Sequence, residues 1–300
     1  SSAGDATLIA NGGANSPGVI FFVDNSSGGS ARVELFGNGR LDLILHQTPD
    51  LSVGSIEGTG VIFLGGNELK VGSNNLSTEF SGVIQVGNNL PNETGSLTKV
   101  GTGTLTLSGA NTHTGVTTIN DGGLLVNGSI TSAVTVNGGL LGGTGTTGAV
   151  TINNGGVLSP GASPGILHVA GNLTLAMGST YLVQLNGLTL GSQYDQTSVI
   201  GTVSLNGATL SLSLAFVPAI GAAFAIIDND STDAINGTFN GLPEGSTVAA
   251  GGQLFAITYA GGDGNDVIVR VVPEPATWTF LLLAALVAVT TSVRKRQRAG

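Results

Sequence analysis

One pattern occurs three times between residues 116 and 158, in VTTINDGGLLVNGSITSAVTVNGGLLGGTGTTGAVTINNGGVL. Each copy has a short alternating strand, a turn with Asn-Gly or Asp-Gly, and an apolar pair. The copies begin at Val116, Val134 and Val150, and their apolar pairs end at Leu125, Leu141 and Leu158. The spacings of 16 and 17 residues are too short for a helix-turn-helix repeat but suffice for two or three short strands.

This spacing predicts a β-solenoid, in which each strand pairs with equivalent strands above and below it at about 4.8 Å. Asn120-Asp121-Gly122-Gly123, Asn137-Gly138-Gly139 and Asn153-Asn154-Gly155-Gly156 then supply the positive φ angles that sharp corners need. Antiparallel hairpins are the alternative, because Asn-Gly is also the strongest hairpin signal. The pattern favours the solenoid.

Composition also indicates an all-β protein. The chain has 300 residues, including 50 Gly, and 41% hydrophobic residues argue against disorder. The net charge is −9, and four of nine basic residues lie in the last seven positions, so the body is acidic and nucleic-acid binding is not expected. The absence of Cys excludes disulfides and thiolate sites. SSAGDATLIA is no signal peptide, so we expect an upstream part to be missing.

Three regions are expected along the chain. Residues 1–170 are interpreted as solenoid repeats, with the best repeat match at 97–158. Residues 171–272 have longer strands and fewer glycines, and we expect a β-sandwich-like cap there. Residues 273–300 form the third region, a tail.

The tail predicts a single transmembrane helix at residues 276–293, about 27 Å long and barely sufficient for a bilayer. Trp278 is suited to the membrane interface. A basic cluster should stay cytoplasmic by the positive-inside rule, and it comprises Arg294, Lys295, Arg296 and Arg298. The alternative is a buried apolar helix of a soluble domain.

Residues 97–128, LTKVGTGTLTLSGANTHTGVTTINDGGLLVNG, closely resemble the autotransporter-associated β-strand repeat. The resemblance implies a right-handed parallel β-helix on an exported protein of a Gram-negative bacterium, without catalytic activity. No outer-membrane barrel of alternating strands follows in the sequence, which argues against self-translocation.

The end of the chain resembles a PEP-CTERM sorting signal, through Val272-Pro273-Glu274-Pro275, the apolar segment and the basic cluster. Pro275 disfavours helix at Glu274, so the motif should stay extended and accessible. The resemblance implies that an exosortase recognises Pro273, Glu274 and Pro275. It also implies an inner-membrane-anchored precursor that then reaches the cell surface or extracellular matrix. Exopolysaccharide or other surface proteins of a biofilm are the implied partners of such a structural or adhesive protein.

Two acidic segments are weak calcium candidates, and no other cofactor is expected. Residues 261–269 fit a calcium-binding nonapeptide and contribute Asp263 and Asp266, but a single copy supplies at most half a cage. The second segment contributes Asp228, Asp230 and Asp233. A tight turn before a final strand and a solvated loop are the favoured interpretations.

An enzymatic alternative rests on a moderately dense acidic group near Arg40 and His46. It comprises Asp42, Asp50, Glu57 and Glu68. A carbohydrate-active β-helix enzyme needs such carboxylates to converge on one face, and no nucleophile motif is present. We therefore expect no enzyme and no catalytic residues, and a calcium-dependent carbohydrate-binding module is a further alternative.

The isolated basic side chains are expected at the surface. His46, His113 and His168 lack metal-pair spacing and are interpreted as surface residues. Lys70 and Lys99 are interpreted as solvated charges at strand edges.

Overall fold

A computed structural model describes residues 1–13, 16–48, 50–87, 92–230 and 233–274. Within these ranges the regular structure is entirely β. Ten strands come first along the chain, namely β1 Thr7–Asn11, β2 Val19–Phe21, β3 Arg32–Phe36, β4 Arg40–Asp42, β5 Asp50–Val53, β6 Ser55–Gly58, β7 Val61–Phe63, β8 Glu68–Val71, β9 Thr78–Phe80 and β10 Val83–Gln85. The next twelve are β11 Ser96–Lys99, β12 Thr104–Leu107, β13 Ala110–Asn111, β14 Thr117–Ile119, β15 Gly123–Val126, β16 Ser129–Ile130, β17 Val134–Val136, β18 Gly139–Gly143, β19 Thr146–Thr147, β20 Val150–Ile152, β21 Gly156–Pro160 and β22 Ile166–Val169. The remaining described strands are β23 Leu173–Leu175, β24 Thr180–Leu185, β25 Gln196–Val199, β26 Val203–Ser204, β27 Thr209–Leu214, β28 Ala223–Asn229, β29 Thr247–Ala250, β30 Gln253–Gly261 and β31 Asp266–Val272.

The strands stack into three faces, and within each face the pairing is parallel as far as β28. The first face runs from β5 to β26, the second from β1 to β27, and the third contains β2-β4-β7-β10 followed by β13 to β28. A set of three strands, one from each face, is called a rung. Because consecutive rungs pair in parallel, the prediction of stacked solenoid sheets is confirmed and the antiparallel hairpin alternative is wrong for this part of the chain.

The register of the three repeats differs by one residue from the alignment of the sequence. Leu124, rather than Leu125, stacks on Leu141, and Leu141 stacks on Leu158. Likewise Thr117 stacks on Val134, while Val116 lies outside the strand and is 44% exposed. The sequence alignment equated Val116 with Val134 because both are valines that precede a threonine.

The corners between the first and second faces confirm the predicted turn chemistry. Gly122, Gly139 and Gly155 have φ angles of 66°, 75° and 86°. In the left-handed region only glycine avoids a steric penalty. The asparagines beside these glycines form a ladder, in which Asn137 Nδ2 donates to Asn120 Oδ1 at 3.0 Å and Asn153 Nδ2 donates to Asn137 Oδ1 at 2.8 Å.

The apolar core runs as one column along the inside of the stack and ends in an aromatic cluster. Tyr181 stacks on Phe239 with ring centroids 6.0 Å apart, and Phe224 lies edge-on to Tyr194 at 5.2 Å. Phe255 from β30 also packs against Phe224. Full burial of such a side chain contributes about 1.5–3 kcal/mol, so the cluster stabilises the end of the coil.

Parallel stacking continues past residue 170, and the antiparallel strands occupy residues 247–272. β23 to β28 still pair in parallel with the preceding rung, because their alternating pattern continues despite fewer glycines. β31 then runs antiparallel to β28, and β30 and β29 follow it in the same sheet. These last strands thus extend the third face.

The predicted transmembrane helix at 276–293 lies outside the described residues. Within the described ranges, no helix has the length and apolar character needed to cross a membrane.

Candidate functional site

The predicted sorting motif begins directly after the last strand of the body. β31 lies between β28 and β30, and its last residue, Val272, pairs with Leu254. Pro273 is half-buried and Glu274 is exposed. Proline has no N–H to donate to a ladder, so pairing ends where the motif begins. The exposed residue Glu274 therefore lies two residues beyond the end of a central strand of the sheet.

The other residues predicted for sorting lie outside the described residues. They are Pro275, Trp278, Arg294, Lys295, Arg296 and Arg298.

Lys99, in the repeat that resembles an exported-protein repeat, is buried rather than solvated. Its exposed fraction is 1%, and its Nζ donates to the carbonyl oxygens of Val100 and Gly101, each at 2.7 Å. Burial lowers the pKa of Lys99 because it disfavours the charged ammonium, and the Asp121 carboxylate opposes this effect. The prediction of a solvated charge is wrong here because the corner carbonyls point inward and need a donor.

Asn111, in β13 of the same repeat, joins the two parts of the third face. The main-chain N–H of Ile84 in β10 donates to Asn111 Oδ1 at 3.0 Å. Asn111 Nδ2 donates to the carbonyls of Gly109 and Ser129, each at 3.1 Å. The side-chain amide thus adds to the main-chain hydrogen bond from the Thr112 N–H to Ile84 O, 2.9 Å long, where two described sheets meet.

Two of the three histidines are buried, so the surface interpretation is wrong for them. His113 Nε2 lies 2.7 Å from Thr117 Oγ1, which explains how a threonine fits into the apolar column. Burial lowers the pKa of His113 to about 4 because the interior disfavours an imidazolium. The ring nitrogens of His46 lie 2.9 Å and 2.8 Å from the carbonyl oxygens of Thr48 and Ser26. His168 is exposed, as predicted.

The four acidic residues of the enzymatic alternative do not converge. Asp42 lies in β4 on the third face, Glu57 in β6 on the second, and Asp50 and Glu68 in β5 and β8 on the first. The Arg32 guanidinium lies 2.6 Å from Glu57. Corners separate the three faces, so residues close in sequence point in different directions.

Lys70 forms ion pairs with the two residues of this acidic group that lie on the first face. Its Nζ lies 2.7 Å from the Asp50 carboxylate and 3.6 Å from that of Glu68. The Lys70 side chain is 33% exposed, but β8 pairs with both β5 and β11, so the predicted position at a strand edge is wrong. Its hydrogen bond to Asp50 raises the pKa of Lys70.

The first calcium candidate forms a tight turn between β30 and β31, as favoured from the sequence. The turn uses positive φ angles at Gly262 and Gly264, and the Gly264 N–H donates to Gly261 O at 2.7 Å. Asp263 is exposed, whereas Asp266 is buried and accepts a hydrogen bond from the Asn229 N–H at 3.0 Å.

The second calcium candidate lies beside the first because β28 pairs with β31. Burial raises the pKa of Asp266, and the carboxylates of Asp228 and Asp263 add to this effect. The other two acidic residues of this segment accept hydrogen bonds through their main-chain carbonyls. Asn265 Nδ2 donates to Asp230 O, and Asn229 Nδ2 donates to Asp233 O. Within the described ranges, no three acidic or histidine side chains gather at metal-binding distances.

Comparison with known families identifies two segments. Residues 97–126 match the family described as the passenger-associated-transport-repeat, and residues 271–297 match the PEP-CTERM protein-sorting motif. No curated protein matches the chain. The first match contains Lys99, Asn111 and His113. These buried polar residues, two of which were expected at the surface from the sequence, therefore lie inside the matched repeat. The second match implies an exported protein that an exosortase processes at the membrane for delivery to the surface.

Proposed function

We propose that this protein is a structural or adhesive rod of the cell surface or extracellular matrix, delivered when an exosortase acts on Pro273, Glu274 and Pro275. The observation that carries the proposal is the junction at Val272, where a rigid stacked body ends and the sorting motif begins within one residue. In this proposal the apolar segment anchors a precursor in the inner membrane, and the body faces outward.

The stacked strands supply the extension that a surface rod needs. The second face has ten strands, and a step of about 4.8 Å per strand gives a length of about 43 Å. Each rung contacts only its neighbours, and hydrogen bonds run along the whole axis, so the rod resists bending.

From Thr118 onward, the first face offers an uncharged column of hydroxyl side chains for adhesion. An outward column repeats once per rung and contains Thr118, Thr135, Thr151 and Thr174. Hydroxyl groups both donate and accept hydrogen bonds, so such a column suits contact with hydrated matrix polymers such as exopolysaccharide, or with other surface proteins of a biofilm.

The proposal assigns the chain no catalytic activity. This part is supported by the positions of Asp42, Asp50 and Glu57 on three different faces, since glycosidic chemistry needs carboxylates that flank one bond.

The experiment that tests the proposed function is mass spectrometry of the C-terminus. The chain, with an export signal, is expressed in a Gram-negative bacterium that carries an exosortase, and the surface fraction is analysed. We expect surface protein that lacks the residues after the motif. Glu274→Ala should hold the full-length chain in the inner membrane, whereas Asp5→Ala, a matched change of an exposed acid, should be processed normally. An intact tail on surface protein would contradict the proposal.

A further inference from the structure

A cleft on the third face brings together side chains that the sorting function does not use. Phe21, Asp42 and Phe63 form one outward column of β2, β4 and β7. The guanidinium of Arg40 lies over both rings, 5.9 Å from the Phe21 centroid and 5.6 Å from the Phe63 centroid. We call these residues, together with Ile44, the Arg40 cleft.

Two polar groups in the Arg40 cleft have unused hydrogen-bonding capacity. Asp42 Oδ1 accepts from the Ile44 N–H at 3.1 Å, but Asp42 Oδ2 is 3.7 Å from Arg40 Nη2, too far for a hydrogen bond. Asp42 is only 8% exposed. Arg40 Nε is buried and has no hydrogen-bond partner among the described residues. Buried polar groups in proteins are nearly always paired, so an acceptor and a donor here await a partner.

The cleft has room for a ligand. A cavity of about 220 Å³ is lined by Arg40, Asp42, Ile44 and Phe63. Ile44 also lines a second cavity of about 270 Å³, together with His46, Gly65, Gly66, Asn67 and Glu93. Each cavity is slightly smaller than the range of about 300–1,000 Å³ that is usual for sites of drug-sized ligands, and a single sugar ring is smaller than such a ligand.

The chemistry of the walls indicates a saccharide. A sugar ring has an apolar C–H face, which packs against an aromatic ring, and a rim of hydroxyls that both donate and accept hydrogen bonds. Phe21 is 55% exposed and offers such a ring, and Asp42 and Arg40 supply an acceptor and a donor beside it. An aromatic surface next to a few convergent polar groups is the usual composition of a small-molecule site.

The charge of the cleft selects neutral sugars. The two cavities are lined by two carboxylates, those of Asp42 and Glu93, and by one guanidinium, that of Arg40. The body as a whole is acidic, with a net charge of −9 for the chain. Uronic or sulfated sugars would therefore be repelled.

We propose that the Arg40 cleft binds a neutral polysaccharide chain, with sugar rings packed on Phe21 and Phe63 and hydroxyls bonded to Asp42 and Arg40. This specifies one partner for the proposed matrix function. It is tested without the sorting step.

The test is affinity electrophoresis of the purified full-length chain in a detergent without a sugar headgroup. The probes are laminarin, dextran and hydroxyethyl cellulose as neutral polysaccharides, and alginate as an acidic one. We expect retardation by at least one neutral probe and none by alginate. Phe21→Ala and Asp42→Asn should each weaken binding by about tenfold or more, as for central residues of an interface.

The control is Phe36→Ala, which removes a ring that is 43% exposed on the second face and does not line the cleft. It should bind like the wild type. Thermal melting of each variant shows that it is folded, and Phe21 is exposed enough for its loss to be tolerated. Three outcomes would overturn the inference. They are no binding of the wild type to any neutral probe, binding of the Phe21 and Asp42 variants as tight as that of the wild type, and tighter binding of the wild type to alginate than to the neutral probes. If the tail is still processed in cells, the proposed function stands even then.

Discussion

Lys99 Nζ donates a hydrogen bond of 2.7 Å to the carbonyl oxygen of Gly101, across the corner that follows β11. The same ammonium lies 3.4 Å from the carbonyl oxygen of Asp121 in the next rung. One buried side chain thus connects two successive corners, where the carbonyls turn away from the sheet ladders.

We expect Lys99→Met to lower the free energy of unfolding by about 1–3 kcal/mol, because the carbonyls of Val100 and Gly101 lose their donor inside the protein. Lys70→Met is the matched control. It breaks only the partly exposed ion pairs with Asp50 and Glu68 and should cost at most about 1 kcal/mol. Denaturant unfolding measures both, and equal losses would show that the Lys99 contacts contribute nothing beyond a surface charge.

A pair of glycines in the same corner column separates backbone strain from steric clash. Both have positive φ, but a Cβ at Gly139 would lie 2.4 Å from the carbonyl oxygen of Gly122, whereas at Gly155 the nearest atom is 3.9 Å away. Gly155→Ala should cost about 1–2 kcal/mol from the left-handed backbone alone. Gly139→Ala should cost clearly more, as measured by thermal melting. A smaller loss for Gly139→Ala would refute this packing of the corners.

Stability in mild acid should depend on His113. Its pKa is lowered to about 4 from an ordinary value of 6.5, so between these pH values the unfolded state binds a proton that the folded state excludes. The contribution of His113 is present above pH 6.5 and falls by about 3 kcal/mol as the pH drops to 4. His113→Gln should remove this loss, which denaturant unfolding at pH 7, 5.5 and 4 will show.

Asp195 acts in the opposite direction over the same range. It accepts hydrogen bonds from the N–H groups of Gly165 and Gln184, yet burial raises its pKa to about 6. The folded state therefore takes up a proton below about pH 6, whereas the unfolded state takes it up only below about pH 3.8. Protonation of Asp195 thus adds stability as the pH falls between these values. Asp195→Asn should make the acid-induced loss steeper by about 2 kcal/mol. An unchanged slope would contradict the burial of this carboxylate.

The junction at Val272 predicts that access limits processing of the tail. Because Val272 is paired with Leu254, the motif is held against the body, and a membrane-embedded enzyme must approach a rigid sheet. Insertion of four Gly-Ser residues between Val272 and Pro273 should leave the melting temperature unchanged and increase the rate of tail removal in pulse-chase experiments. The same insertion in the exposed loop at Gly241 is the control. A slower rate for the junction variant would mean that the enzyme requires the sheet itself.

The solenoid could be predicted because its corners and apolar columns repeat in the sequence. Gly122, Gly139 and Gly155 are recognisable by their neighbours, and the spacing allows two or three strands per rung, of which the structure has three. The buried polar residues could not be predicted in this way. Thr117 and His113 can be buried because each is the hydrogen-bond partner of the other. Lys99 can be buried because main-chain carbonyls, including one of the next rung, lie beside its ammonium group.

The acidic residues show the same limit. Asp42, Asp50 and Glu57 are close in sequence, but the corner lengths that place them on separate faces have no clear sequence signal. Conversely, Asp228 and Asp266 are far apart in sequence and become neighbours only because the last strand reverses direction. The sorting motif was recognisable because its elements are contiguous.

The reversal of direction at β31 has an evolutionary consequence. Since each rung touches only the rungs beside it, duplication or loss of one upstream rung leaves the antiparallel closing strands and the exported end unaltered. For the surface rod proposed above, this would make the molecule an adjustable spacer, whose length changes in increments of about 4.8 Å while the sorting motif stays the same.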